Sequence, residues 1–199
     1  MGTRRATLFL GSLISLLVSS APRDLGGLGM LGLSFSLPAH AKPADDLYLD
    51  FSPASRRLIV TSRGQVFLVA EARNDTVRPG QYGFFGHCPP GWFLVGPPVA
   101  TPGSVKFGPA FLGLFDSQAG AGATGADGAM KRYRRAGIGI HGGGTGLRSP
   151  LASNQGWRAT LGCIRMQNQD LRSLVSLVNW ARGRGGKVWI RVGPNPRVR

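Results

Sequence analysis

Two short stretches of the sequence place chemically reactive side chains beside small residues. Thr160-Leu161-Gly162-Cys163-Ile164-Arg165-Met166 holds one of the two cysteines, with an arginine two residues after it. Upstream, a short apolar run leads to His141, one of three histidines, and then to Gly142-Gly143-Gly144. A thiol becomes a strong nucleophile when its thiolate is stabilised or when a base accepts its proton. The two stretches therefore predict Cys163 as a nucleophile and His141 as its general base.

The neighbours of this pair suit the same chemistry. Arg165 and the N-terminus of the helix predicted after it both favour a thiolate. Gly162 leaves the backbone unobstructed, so the amides around Gly162 and Cys163 can face a developing oxyanion. The glycines after His141 allow a ligand to approach the backbone closely.

Other uses of the cysteines stay open on these residues alone. Cys163 could be a buried structural residue, or it could pair with Cys88 in a disulfide that would block the nucleophile. His87, Cys88, His141 and Cys163 are also metal-ligand types, but no Cys-x-x-Cys pair or comparable clip accompanies them. The sequence accordingly predicts neither a metal nor a cofactor.

The N-terminal region has the pattern of an export signal. Two arginines precede the apolar run Leu8–Val18, which is too short for a comfortable membrane span. A glycine-diluted apolar stretch over residues 25–37 then leads to Pro38-Ala39-His40-Ala41, an Ala-x-Ala cleavage site. We interpret residues 1–41 as a signal peptide that meets the membrane only transiently, with export to the periplasm or cell wall. A retained anchor and a twin-arginine signal, suggested by Thr3-Arg4-Arg5, are the alternatives.

The charge balance predicts an anionic partner. The net charge is +15, from 24 basic and 9 acidic residues. Residues 42–199 keep 21 basic and 8 acidic residues, and therefore a net charge of +13. Such a balance favours polyanions or anionic surfaces. Export disfavours nucleic acid, which leaves anionic lipid and anionic cell-wall polymers as the candidate partners.

Composition and patterning predict a mainly β domain. The 31 glycines and 14 prolines among 199 residues favour a turn-rich β protein, and 42% apolar residues allow a core. The runs Leu58–Thr61 and Gln65–Ala70 flank a short turn and predict a β-hairpin. Prolines after Phe93–Val95 limit that run to a short or edge strand. Ile138–His141 and Lys187–Val192 predict two further strands.

One helix is predicted after the cysteine. Leu171, Leu174, Val175, Val178 and Ala181 recur at helical spacing. Asn168 suits the N-cap, and Asp170 lies in the first turn. Glycines at 183, 185 and 186 end the helix. The predicted organisation is a linker over 42–55, a catalytic domain over 56–193 and a basic tail over 194–199. A Gly/Ala-rich surface loop over 117–129 and a basic cluster over 131–135 lie within that domain.

The motifs together resemble a known family. Ile140-His141-Gly142, followed after a loop by Thr160-x-Gly162-Cys163-Ile164-Arg165-Met166, resembles the signature of the L,D-transpeptidase (YkuD-like) catalytic domain. The resemblance is strong over residues 137–192 and looser over 56–116. It implies a β-sandwich-like mixed sheet with one principal helix after the catalytic cysteine.

The resemblance also implies an activity on peptidoglycan stem tetrapeptides. In that family a cysteine attacks the carbonyl before the terminal D-residue, forms an acyl-thioester, and passes the acyl group to an amine of a neighbouring stem. Carried over, Cys163 is the nucleophile, His141 the base, and the Gly142 carbonyl orients the imidazole. The resemblance further implies that Gly162, Thr160 and Arg165 bind the oxyanion or the substrate.

One residue departs from the family pattern. Many members have a histidine between the Ser/Thr and the Gly of the motif, where this chain has Leu161. His141 must then supply the proton chemistry without a second imidazole. An L,D-carboxypeptidase that passes the same acyl-enzyme to water, and an inactive wall-binding domain, remain alternative interpretations.

Overall fold

The structure is a computed structural model that describes residues 45–82, 86–116 and 137–198. Within these ranges the chain forms eight strands and one helix. In chain order they are β1 Leu47–Ser52, β2 Arg57–Ser62, β3 Gln65–Arg73, β4 Gly91–Ser104, β5 Gly108–Asp116, β6 Gly139–His141, β7 Ile164–Met166, α1 Asn168–Gly183 and β8 Val188–Val192.

The strands close into one barrel in the order β1-β2-β3-β7-β6-β5-β4-β8. The pairs β1–β8 and β6–β7 are parallel, and the remaining pairs are antiparallel. The predicted mainly β fold, with a mixed sheet and one principal helix after the cysteine, is confirmed. More specifically, the sandwich-like sheet closes on itself, which removes exposed strand edges.

Alternating apolar residues fill the barrel. In β1 the side chains of Leu47, Leu49 and Phe51 are buried, as the two-residue period of a strand requires. The apolar face of α1 closes the core from outside, with Leu171, Leu174, Val178 and Ala181 fully buried. The N-cap is Gln167 and not Asn168, so the helix begins one residue earlier than expected. The side chain of Gln167 makes no capping hydrogen bond.

Two predicted boundaries are corrected. The linker predicted over residues 42–55 contains β1, which pairs with β2 and β8 and is therefore part of the barrel. The short strand predicted at Phe93–Val95 is part of the fourteen-residue β4. Prolines fit there because β4 pairs with β8 only over Gly91–Leu94, so Pro97 and Pro98 need no bonds on that side.

Several predictions fall on residues that the structure does not describe. These are the signal peptide over 1–41, the Gly/Ala loop over 117–129 and the basic cluster over 131–135. No helix in the described ranges is long and apolar enough to cross a membrane. The predicted tail packs on the barrel: Asn195 is buried, and its backbone N–H donates to the hydroxyl of Tyr82 at 2.9 Å.

Candidate active site

Neighbouring parallel strands bring the predicted nucleophile and base to one face of the barrel wall. Strands β6 and β7 pair Ile140 with Ile164 and His141 with Arg165. Both isoleucines are fully buried in the core. Because side chains alternate along a strand, His141, Arg165 and Cys163 point to the opposite face. The two motifs, separate in sequence, therefore form one site.

The imidazole of His141 has a defined orientation. Its Nδ1 lies 2.7 Å from the carbonyl oxygen of Gly142. A carbonyl can only accept, so Nδ1 carries the proton and Nε2 carries the lone pair. The contact expected between the Gly142 carbonyl and the imidazole is thus present, and the tautomer is the one a general base needs.

Burial keeps this imidazole neutral. Only 4% of His141 is exposed, and burial lowers its pKa from 6.5 to about 4. The hydrogen bond to Gly142 opposes that shift, whereas the positive charges of Arg165 and Lys106 lower the pKa further. The imidazole of His141 is therefore neutral at neutral pH, and its Nε2 can accept a proton.

Two phenylalanines enclose the imidazole. The ring of Phe107 meets it edge-on at a centroid distance of 5.4 Å, and Phe111 stacks at 6.2 Å. The turn between β4 and β5 also holds the loop after His141: Gly142 donates to the carbonyl of Phe107 at 3.0 Å, and Gly144 donates to Val105 at 2.7 Å. The turn thus contributes Phe107 to the cover of His141 and holds the loop that follows this histidine.

The first residue of α1 fixes the same loop from the other side. The Oδ1 of Asn168 accepts from the N–H of Gly143 at 2.9 Å, and its Nδ2 donates to Pro150 at 2.9 Å and to Ala152 at 2.7 Å. A Cβ on Gly142 would overlap this Oδ1. Asn168 was predicted as a cap, but its buried amide instead joins α1 to the glycine loop.

Cys163 lies at this site as a thiol. It is 9% exposed, and its Sγ is 3.8 Å from the carbonyl oxygen of Gly137, just before β6. Neither cysteine forms a disulfide in this structure. Cys88 is 1% exposed and belongs to the apolar core. Of the two cysteines, Cys163 is the one that the pairing of β6 with β7 brings to the same face as His141.

Two predicted site residues, Thr160 and Gly162, form hydrogen bonds within the loop that precedes Cys163. The hydroxyl of Thr160 accepts from the N–H of Gly162 at 3.1 Å and lies 2.8 Å from the carbonyl oxygen of Cys163, to which it donates. The Gly162 amide, for which an oxyanion role is expected, donates within the loop in this structure. Gly162 has φ +112°, a conformation that favours glycine.

Arg165 is a buried cation beside the nucleophile. It is 4% exposed, and its Nη1 donates to the carbonyl of Arg158 at 2.6 Å. In the described part of the chain no carboxylate lies within ion-pair distance of it, and its Nε has no hydrogen-bond partner. Burial lowers its pKa, and Cys163 opposes that shift. Such a cation attracts an anionic group of a ligand.

Leu161, where the histidine of many family members was expected, is 49% exposed next to Cys163. It presents an apolar surface at the site.

Sequence reasoning missed Asn74, whose Nδ2 donates to the carbonyls of Gly162 and Cys163 at 2.7 and 3.1 Å. Asn74 follows β3, far from the motif, and no local pattern indicates the contact.

The residues considered for a metal do not form a cluster. Among residues 45–82, 86–116 and 137–198, no three His, Cys, Asp or Glu side chains are grouped so that they could hold an ion. The Nδ1 of His87 lies 2.7 Å from the backbone carbonyl oxygen of Asn74 and donates to it. His87 is therefore part of the packing behind the site.

This arrangement agrees with a family match. The family model of the L,D-transpeptidase catalytic domain (YkuD) matches residues 46–190. The chain belongs to this family. The match begins ten residues before the predicted domain start at 56, and it includes β1. A search of curated protein sequences finds no significant match.

Several solved structures are similar to this chain at low sequence identity. Bd1075 of Bdellovibrio bacteriovorus is 14% identical, with a TM-score of 0.50, over 78% of this chain and 52% of that protein. The helical cell shape determining protein Pgp2 (K307A mutant) of Campylobacter jejuni is 17% identical, with a TM-score of 0.49, over 79% and 51%. An L,D-transpeptidase of Stackebrandtia nassauensis is 16% identical, with a TM-score of 0.47, over 82% and 62%. The chain thus covers 51–62% of the length of these proteins.

Proposed function

We propose that the protein is an exported L,D-transpeptidase that cross-links peptidoglycan stem peptides through an acyl-thioester on Cys163. The observation that carries this proposal is that the paired strands β6 and β7 present Cys163 and a buried, neutral His141, whose Nδ1 is held by Gly142, on one face of the barrel wall. The family match supports the substrate class.

The first step is acylation of the cysteine. The Sγ of Cys163 attacks the carbonyl that precedes the terminal D-residue of a tetrapeptide stem, and Nε2 of His141 takes the thiol proton. The C–N bond then breaks, and the imidazolium returns this proton to the departing amine. A thioester between Cys163 and the remaining tripeptide results.

The second step is transfer to an acceptor. An amine of a neighbouring stem attacks the thioester and loses a proton to His141. The C–S bond breaks, and Cys163 leaves as a thiolate that takes the proton back from His141. The product is a cross-link between two stems, and the enzyme returns to its starting state. The neutral His141 suits both steps because each begins with proton acceptance.

Arg165 recognises a carboxylate of the donor stem in this proposal. It is buried beside Cys163, and no carboxylate in the described residues lies within ion-pair distance of it. The terminal D-residue carries a carboxylate close to the bond that is cleaved. A guanidinium can bind such a group through two parallel hydrogen bonds. The half-exposed Leu161 contacts an apolar part of a stem.

Product analysis tests the transfer reaction. The protein is incubated with a tetrapeptide stem, with and without an amine acceptor, and the products are identified by mass spectrometry. We expect a cross-linked product only with the acceptor, and none with Cys163→Ala. A tripeptide as the sole product in the presence of the acceptor would contradict transfer and indicate a carboxypeptidase. Intact substrate with the wild type would contradict both.

A further inference from the structure

Asn74 makes five polar contacts, and two of them hold backbone carbonyls at the nucleophile; in one of the others the Nδ1 of His87 lies 3.2 Å from Oδ1. Its Nδ2 donates to the carbonyls of Gly162 and Cys163 at 2.7 and 3.1 Å. Its Oδ1 accepts from the N–H of Cys88 at 2.8 Å, and its backbone carbonyl accepts from the imidazole of His87 at 2.7 Å. Asn74 is 5% exposed. An amide N–H only donates and a carbonyl only accepts, so the side-chain orientation is determined by these partners.

The barrel topology shows what these bonds do to the nucleophile. Strand β7 lies between β3 and β6, and Asn74 directly follows β3. Asn74 draws the carbonyls of Gly162 and Cys163 to the β3 side. The Sγ of Cys163 lies on the other side, 3.8 Å from the carbonyl of Gly137 next to β6. Strand β6 carries His141.

Peptide geometry makes this orientation specific. The peptide group is planar and trans, so its C=O and N–H point in opposite directions. Fixing the carbonyl of Gly162 towards Asn74 therefore directs the N–H of Cys163 away from it. The hydroxyl of Thr160 supports the second carbonyl, that of Cys163, at 2.8 Å. Two consecutive peptide planes at the nucleophile are thus held by side chains.

We propose that Asn74 is a positioning residue for Cys163, which keeps the thiol on the β6 side where His141 can take its proton. The proposal deepens the function proposed above and rests on the pairing of Cys163 with His141. It assigns no contact between Asn74 and substrate. His87 and the N–H of Cys88 support Asn74 in turn, since they bind its two oxygens.

A double-mutant cycle tests this role without a natural substrate. Alkylation of Cys163 by iodoacetamide is followed by mass spectrometry of the peptide that contains it, in the full chain at neutral pH. We expect His141→Gln to slow alkylation about tenfold in the wild-type background, and about twofold or less when Asn74→Ala is present. An equal effect of His141→Gln in both backgrounds, including no effect in either, would overturn the proposal.

Gln155→Ala is the matched control. Gln155 is also 5% exposed and also bonds backbone groups near β7, donating to Met166 at 2.6 Å and accepting from Asn168 at 2.7 Å. We expect it to lower stability about as much as Asn74→Ala while the effect of His141→Gln stays about tenfold. Loss of that effect in the Gln155→Ala background as well would overturn a specific role for Asn74.

Two further measurements test the proposal if Asn74→Ala does not fold. Asn74→Asp keeps the size of the side chain and removes the donor, so the same loss of coupling is expected. In the wild type, alkylation of Cys163 should shift the NMR signals of the Asn74 side-chain amide, and unchanged signals would overturn the proposal. If the wild type does not react with tetrapeptide stems but the coupling depends on Asn74, the proposed substrate fails and this inference stands.

Discussion

At the level of single residues, the environment of His141 sets the proton chemistry of the site. The imidazole contacts the rings of Phe107 and Phe111, and its Nδ1 donates to the carbonyl of Gly142. Two nearby cations, Arg165 and Lys106, disfavour a third positive charge. In the proposed reaction we therefore expect proton transfer to this histidine to accompany the attack of the thiol instead of preceding it.

The pKa of His141 predicts an unusual titration. The imidazole should stay neutral as the pH falls and gain a proton only near its pKa of about 4, well below 6.5. NMR of the imidazole protons, with His141→Gln used for assignment, measures this directly. An inflection of the His141 signal between about 6 and 7 would contradict the burial argument.

The same shift predicts how stability depends on pH. As the pH falls from 6.5 towards about 4, the unfolded chain binds a proton at this position and the folded chain does not. The free energy of unfolding must therefore decrease over this window, since stability rises with pH wherever the unfolded state binds more protons. Urea unfolding at several pH values should show a smaller decrease for His141→Gln. Equal decreases in both proteins would contradict the linkage.

At the level of elements, the site lies where β6, β7 and the start of α1 meet. Asn168 is fully buried at the first position of α1 and holds Gly143, Pro150 and Ala152 by its side chain. This one amide joins the helix to the loop that follows His141 and to the loop that leads towards Cys163. The geometry of the base thus depends on the docking of α1.

Replacement of Asn168 by alanine should be costly. It removes three hydrogen bonds and leaves buried backbone groups of the loops without partners, so we expect a loss of about 2–4 kcal/mol in the free energy of unfolding. Asn179→Ala, at an exposed position of the same helix, is the control, with a change within about 0.5 kcal/mol. Similar values in urea unfolding of the two variants would refute the anchoring role.

The elements differ in how well local sequence predicts them. The β2–β3 hairpin and α1 could be predicted because alternation, turn residues and helical spacing are local signals. Strand β4 could not, because its prolines are tolerated only where β8 no longer pairs with it. The contact of Asn74 with Gly162 depends on the neighbourhood of β3 and β7, which is a property of barrel order. The site residues Cys163 and His141 could be predicted from the sequence, because cysteine and histidine are reactive residue types that are rare in this chain and occur in short recognisable motifs.

At the level of the whole molecule, charge should govern attraction to the cell wall. Residues 42–199 carry 21 basic and 8 acidic side chains, a net charge of +13. Long-range attraction to anionic polymers falls as the Debye length shortens from about 10 Å at 0.1 M to about 3 Å at 1 M salt. Under the proposed function, this attraction would help to keep the catalytic domain near the cell wall.

Binding to anionic wall polymers should consequently depend on salt. We expect co-sedimentation with purified cell walls to fall at least about fivefold between about 0.05 and 0.5 M NaCl. An uncharged polysaccharide of similar size serves as the control and should bind weakly at both concentrations. Salt-independent binding to cell walls would show that contacts other than charge retain the protein.

The central claim is that Cys163 is the acylated nucleophile, and intact mass spectrometry tests it most directly. The protein is incubated with a tetrapeptide stem without an acceptor, under reducing conditions, and its mass is measured. We expect an added mass equal to the stem without its terminal D-residue, present in the wild type and in Cys88→Ala and absent in Cys163→Ala. No adduct on folded wild-type protein, or an adduct that persists in Cys163→Ala, would contradict it.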